Sequence, residues 1–223
     1  MESISRNDKS KIQIGIKMKN TSILLITILL IGCTKAVYKP KWIQKTAPEN
    51  FVTRFETSKG NFDIQIHREA SPKAVDRFYQ LVQHHFFDKS VFYRVVPNFV
   101  AQFGIIDSTA TALWKENKIP DEPVRESNLK GAISYARAGK ESRHDHLFIN
   151  LKNNQRLDTV MASGVRGYPP FGTVIKGMDV VESLYSGYGN ETMAKVDSLN
   201  YSQLLQAFPK LDLINKVYIL ENK

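Results

Sequence analysis

The order of apolar and polar positions divides the chain into short segments of two periods. In "FVTRFETSKGNFDIQIH" (51–67), Phe62, Ile64 and Ile66 share one face and Ser58-Lys59-Gly60 interrupts the alternation, which predicts a β-hairpin. The period then changes: "SPKAVDRFYQLVQ" (71–83) offers Ser71 as a cap and Pro72 at the first helical position. Its Ala74, Val75, Phe78, Tyr79, Leu81 and Val82 form one amphipathic face, so a helix over a sheet is expected. Strand-like runs follow at 91–96, 99–103, 131–136, 146–150 and 215–220, with a long irregular stretch at 107–128. "GMDVVESLY" (177–185) reads as a second short helix, and "YSQLLQAFPKLDLI" (201–214) as a helix interrupted at Pro209 that packs on the outside. Many short strands with two good helices suggest a mainly β fold closed into a barrel, which leaves no sticky edge.

One residue violates the pattern. In "VFYRVVPNFVAQFGI" (91–105), Arg94 sits among aromatic and β-branched residues, where a buried guanidinium is costly unless something pairs with it or uses it.

The N-terminus has its own pattern. After Lys17 and Lys19 comes the apolar run "SILLITILLIGC", about half the ~20 residues of a membrane-spanning helix, so it reads as an export signal. "LIGC" (30–33) resembles the lipobox of bacterial lipoproteins, which implies that Cys33, the only cysteine, is lipidated and becomes the new N-terminus. Met18 is the better start, because residues 1–17 are polar and mixed. The expected division is a leader at 1–32, a lipidated cysteine and polar tether at 33–50, and a folded domain at 51–223. Loss of 1–32 removes five basic residues (Arg6, Lys9, Lys11, Lys17, Lys19) and two acidic ones (Glu2, Asp8), taking the net charge from +9 to +6. The remaining charges form no basic run, so nucleic acid is not expected as a partner.

Several chemistries have no motif here: no G-x-S-x-G elbow, no H-E-x-x-H, no phosphate loop and no dinucleotide fingerprint. His144 and His146 flank Asp145, but two histidines without a third ligand at fitting spacing are weak evidence of a metal site, and neither metal nor cofactor is expected. His84-His85 reads as a solvated helix terminus.

Five segments in register carry a resemblance. "FYRVVPNFVAQFG" (92–104), "GAISYARAG" (131–139), "LFIN" (147–150), "LD" (157–158) and "PPFGTVIKGMDVVESL" (170–184) resemble the cyclophilin family of peptidyl-prolyl isomerases in order and spacing. The resemblance implies an eight-stranded antiparallel barrel capped by two α-helices, with the active site on its outer surface. It implies that Arg94 hydrogen-bonds the substrate proline and that Gln102 bonds substrate and supports the arginine. Phe99, Val100, Phe148 and Leu157 match the apolar pocket for the proline ring, Ala136 a backbone-contact position, and Tyr168 a pocket-lining one. The chain departs from the family at "HDHLF", where His146 replaces a glutamine and Leu147 a phenylalanine, at Arg137, where asparagine is usual, and at Arg156, where some members place a tryptophan. His146 keeps a hydrogen-bonding side chain for the substrate, with a different reach. The expectation is an exported, membrane-anchored, monomeric lipoprotein of the bacterial envelope that isomerises X–Pro bonds in proline-containing polypeptides. The alternative is a catalytically weak proline-binding or chaperone module on the same anchor.

Overall fold

The computed structural model describes residues 38–105, 108–196 and 198–220, which fall within one unit, Ala36–Lys223. The expected leader, Met18 and Cys33 lie outside the described residues.

In chain order the elements are β1 (Asn50–Thr57), β2 (Gly60–His67), α1 (Pro72–Gln83), β3 (Ser90–Val96), β4 (Val100–Ile105), α2 (Ser108–Lys115), β5 (Ala132–Tyr135) and β6 (Leu147–Asn150). There follow α3 (Arg156–Thr159), β7 (Met161–Ala162), β8 (Val165–Arg166), β9 (Pro170–Lys176), α4 (Met178–Glu182), α5 (Tyr201–Ala207) and β10 (Leu213–Leu220). Eight strands close into an antiparallel barrel in the order β1-β10-β3-β4-β6-β5-β9-β2, and β7-β8 form a separate ribbon. Closure leaves no barrel edge unpaired.

The hairpin is where the alternation puts it: Thr57 faces Gly60 across the turn, and Phe62, Ile64 and Ile66 are buried. Aromatic rings fill the barrel, with Phe55 stacked on Phe62 at 4.7 Å, Phe92 against Phe103 at 5.3 Å, and Phe78 of α1 against Phe171 at 5.5 Å. Val181 of α4 joins the same core, so α1 and α4 both bury their apolar faces in it. The N-terminus of α1 differs from expectation, because the Ser71 side chain makes no cap bond to the helix. Glu122 takes that role: its carboxylate accepts hydrogen bonds from the backbone N–H groups of Lys73 (2.8 Å) and Ala74 (3.1 Å) and from the Ser71 hydroxyl (2.5 Å). Fully buried Arg143 donates to the same carboxylate at 3.0 Å, which ties the segment before β6 to the helix start.

Two segments depart from the sequence reading. The described part of the expected tether is packed on the domain: Tyr38, Trp42 and Ile43 lie against the core and Ala47 is buried. Trp42 stacks on His84 with ring centroids 3.6 Å apart, so His84 is half-buried and burial pushes its pKa down, while His85 stays solvated. Polar composition hid this segment because a few aromatic rings suffice to hold it. The stretch at 107–128 also contains a helix, α2, whose Trp114 is buried against Tyr38 and Phe86. The tail at 186–216 packs as expected: α5 ends before Pro209, and Leu204 and Leu211 cover Val91 and Tyr93 on the outside of β3.

Candidate active site

Strand register assembles the site. Arg94 pairs with Gln102, Gln102 with Phe148, and Phe148 with Ser134, making one row across β3, β4, β6 and β5 on the outer barrel face. A regular β3 would not allow this. Phe92 points inward opposite Phe103, and strict alternation would send Arg94 inward as well. Between these pairs β3 advances two residues while β4 advances one, a bulge with Tyr93 as the extra residue. That residue turns Arg94 out of the aromatic core into a groove. A compensating irregularity sits opposite, where Gly104 has φ +127° and a side chain there would collide with the Asp145 carbonyl.

Arg94 is half-buried, and burial pushes its pKa down, although an arginine remains charged. Its Nε donates to the Asn190 side-chain oxygen at 2.8 Å and its Nη1 to that of Gln102 at 3.2 Å, while its Cζ lies 5.5 Å from the Phe99 ring centroid. Three of the five guanidinium N–H groups thus remain for a ligand, with no partner among the described residues. Beside it is an apolar cluster separate from the core: Val100, Phe148 and Leu157 are buried, with Phe99, Ala136, Val160 and Tyr168 packed around them. Together these residues line a cavity of about 340 Å³ that also meets Arg137, Arg156, Ala162 and Met193.

Behind the apolar wall runs a chain of buried amides. Asn128 donates through Nδ2 to Asp158 and to the Tyr168 carbonyl, both at 2.8 Å, and accepts from Ser134 (3.2 Å) and Asn150 (3.1 Å). Asn154 donates to the Asn150 side chain (2.9 Å) and to the Phe99 carbonyl (2.8 Å). The loops that carry Phe99, Leu157 and Tyr168 are thereby tied to β5 and β6. Burial would raise the Asp158 pKa, but hydrogen bonds from Ser127 and Asn128 outweigh it and hold the carboxyl below its usual value.

Eight of the nine residues expected to catalyse or bind substrate therefore meet around one cavity. His146 does not line it; it lines an adjoining cavity of about 260 Å³ and shares a 2.9 Å hydrogen bond with the Tyr93 hydroxyl through Nδ1. Its Nε2 lies 3.6 Å from Asp145, and His144 contacts the same carboxylate, so three donor atoms that could hold a metal lie within 4.8 Å of one another. Asn190, Met193 and the amide chain were not legible in sequence, since the bonds from Asn190 to Arg94, from Asn154 to Phe99 and from Asn128 to Asp158 and Tyr168 join segments far apart in the chain.

A permanently charged donor thus stands beside an apolar pocket on the outside of an eight-stranded barrel. The sequence comparison agrees: residues 52–200 match the model of the cyclophilin type peptidyl-prolyl cis-trans isomerase family. The chain belongs to that family, and its activity is isomerisation of X–Pro bonds. It is 30% identical over 171 residues to peptidyl-prolyl cis-trans isomerase A of Dickeya dadantii, covering 73% of this chain and 83% of that one. It is also 30% identical over 144 residues to a peptidyl-prolyl cis-trans isomerase of Acinetobacter baylyi, covering 64% and 76% respectively. A Cryptosporidium parvum cyclophilin-type isomerase shares the fold, with a TM-score of 0.57 at 19% identity, covering 78% of this chain and 99% of that one. The same protein solved in the presence of the dipeptide Ala-Pro gives a TM-score of 0.56 at 19% identity, over 77% and 99% of the two chains.

Proposed function

We propose that Arg94 is the catalytic donor of this isomerase and that Phe99, Val100, Phe148, Leu157 and Tyr168 seat the proline ring. An X–Pro bond rotates slowly because resonance makes its C–N bond partly double, with a barrier of about 18–20 kcal/mol. Twisting the bond returns the lone pair to the prolyl nitrogen. A guanidinium N–H held at that nitrogen stabilises the twisted form more than the planar one, which is preferential binding of the transition state. Each ~1.4 kcal/mol of that preference gives a factor of ten in rate. The observation that carries the assignment is the half-buried guanidinium, oriented by Gln102 and Asn190 at the lip of the apolar cavity. Gln102 is a positioning residue in this reading, and Ala136 offers its backbone to the peptide. His146 reaches substrate from the adjoining cavity.

The test is a chymotrypsin-coupled assay on a Phe-Pro peptide with the purified protein and Arg94→Ala. A fall of about a hundred-fold in kcat/KM, equal to about 2.7 kcal/mol, with unchanged circular dichroism supports the assignment. A variant within two-fold of wild type overturns it.

The site of action is part of the proposal: a monomer, exported, lipidated at Cys33 and held at a bacterial envelope membrane, acting on other exported proteins as they fold. Its support is the basic start, apolar run and "LIGC" of the sequence. Palmitate labelling of wild type but not of Cys33→Ala, together with partition of only the wild type into detergent, is expected. Equal labelling of both rules the anchor out.

A further inference from the structure

The cavity beside the proline pocket has a different chemistry. It shares Gln102, Ala136, Arg137 and Met193 with that pocket, and its charged or titratable lining is Tyr93, Lys115, Arg137, His144 and His146, with no carboxylate. The nearby acids lie behind the lining, each beside a basic group. Asp145 is fully buried against the two histidines, Glu122 pairs with Arg143 at 3.0 Å, and Asp121 lies 3.9 Å from Arg143. Arg137 lies flat on Tyr168, with Cζ 4.2 Å from the ring centroid, and spends one N–H on the Val165 carbonyl at 3.1 Å. Among the described residues its Nε and Nη1, shut off from solvent, have no hydrogen-bond partner, and neither Arg137 nor Lys115 has an ion pair. Two positive side chains therefore line one cavity that has no carboxylate in its lining; Asp121, beside Arg143, offsets part of the Arg137 charge, and the remainder favours an anionic occupant over a cationic one.

We propose that this cavity binds the carboxylate of an aspartate or glutamate in the substrate chain, so that the enzyme selects prolines in acidic segments. The proposal rests on the assignment of the neighbouring cavity to the proline ring. An extended peptide advances about 3.3 Å per residue, so a cavity sharing a wall with the proline pocket is reached by a side chain about one to three residues from the proline. The segment after α4 contributes to this selectivity, because Met193, exposed at the end of that segment's turn, forms part of the shared wall.

The test is a nuclear magnetic resonance titration of the purified protein with proline peptides in which Glu, Gln or Lys occupies each of the three positions on either side of the proline. Affinity comes from chemical shifts and isomerisation from exchange spectra of the same samples. At one position Glu is expected to bind about five-fold tighter than Gln, and Lys more weakly than either. The Glu-to-Gln ratio, from which any general loss of binding divides out, should fall toward one in about 0.5 M salt and drop below one in Lys115→Glu. Equal affinity for Glu and Gln at every position overturns the proposal, as does a Glu preference unchanged in Lys115→Glu combined with Arg137→Gln. Binding of no peptide overturns both this proposal and the assignment of the proline pocket. A Glu preference in binding without isomerisation of any peptide leaves the acidic subsite standing and removes the catalytic assignment.

Discussion

Asn190 supplies an acceptor to the guanidinium from a segment 96 residues away in the chain, and its removal isolates what orientation of Arg94 is worth. In Asn190→Ala the 2.8 Å bond from Nε disappears, and the guanidinium keeps only the 3.2 Å bond to Gln102 and the face of Phe99. A hydrogen bond to a charged group contributes about 1.5–3 kcal/mol when buried. This one is exposed, which places the loss nearer about 1.4 kcal/mol, or ten-fold in rate. Because the bond orients the donor and does not touch the proline ring, the fall should lie in kcat, with KM changed less than two-fold. Asn190→Asp separates orientation from charge: the carboxylate holds the guanidinium as firmly but neutralises it, so kcat should fall at least as far as in the alanine variant. The measurement is isomerisation of an Ala-Pro peptide by exchange spectroscopy over a range of peptide concentrations, with urea unfolding as a check on the fold. An alanine variant with wild-type kcat refutes the reasoning, and so does a loss carried entirely by KM.

Other consequences follow from the packing around the site. Asn128→Ala removes one hydrogen-bond partner each from Ser134, Asn150 and the buried Tyr168 carbonyl, while Asp158 keeps Ser127 and the residue 128 backbone N–H, so urea unfolding should show a loss of about 2–4 kcal/mol, with weaker peptide binding by the surviving fold. Asp158 and Asp63 both have folded pKa values held below the usual carboxylate range, the latter by a hydrogen bond from Arg54. The unfolded chain then binds more protons than the folded one, so their stabilisation is fully present above the unfolded pKa near ~3.9 and disappears as pH falls through the folded values. The urea midpoint should therefore begin to fall below about pH 6.5, where the unfolded chain protonates His84 and burial resists it in the folded one, and decline further below about pH 5, that lower part less steeply in Asp158→Asn. A chain beginning at Phe51 loses the rings of Tyr38 and Trp42 and should unfold at lower urea by about 2 kcal/mol, whereas an unchanged midpoint would show that these residues contribute nothing.

Local pattern carried seven of the eight barrel strands, missing β9, together with α1 and the closed barrel, because alternation and the 3.6-residue period are imposed by which face must leave water. It carried α4 less well, as a longer helix than the one that forms, and it missed α2, whose helical character rests on Trp114 packing against Tyr38 and Phe86. The reading of 34–50 as polar tether failed for its described part for the same reason. A single ring such as Trp42, stacked on a residue from another element, leaves no periodic trace.

The candidate site divides in the same way. From the sequence alone came the oddity of Arg94 in an apolar run, and the resemblance named Gln102, Phe99, Val100, Ala136, Phe148, Leu157 and Tyr168 as its companions. Motif order was enough to nominate them. The tertiary structure decided which way Arg94 points, because one extra residue at Tyr93 reverses the face of everything after it, and a bulge is a property of two paired strands. It also brought Asn190 and Met193 from beyond α4 to the groove, tied the pocket wall through Asn128, Asn150 and Asn154, and set His146 in the basic cavity next door. Each of these depends on contacts between segments far apart in the chain, where sequence spacing places no constraint on distance.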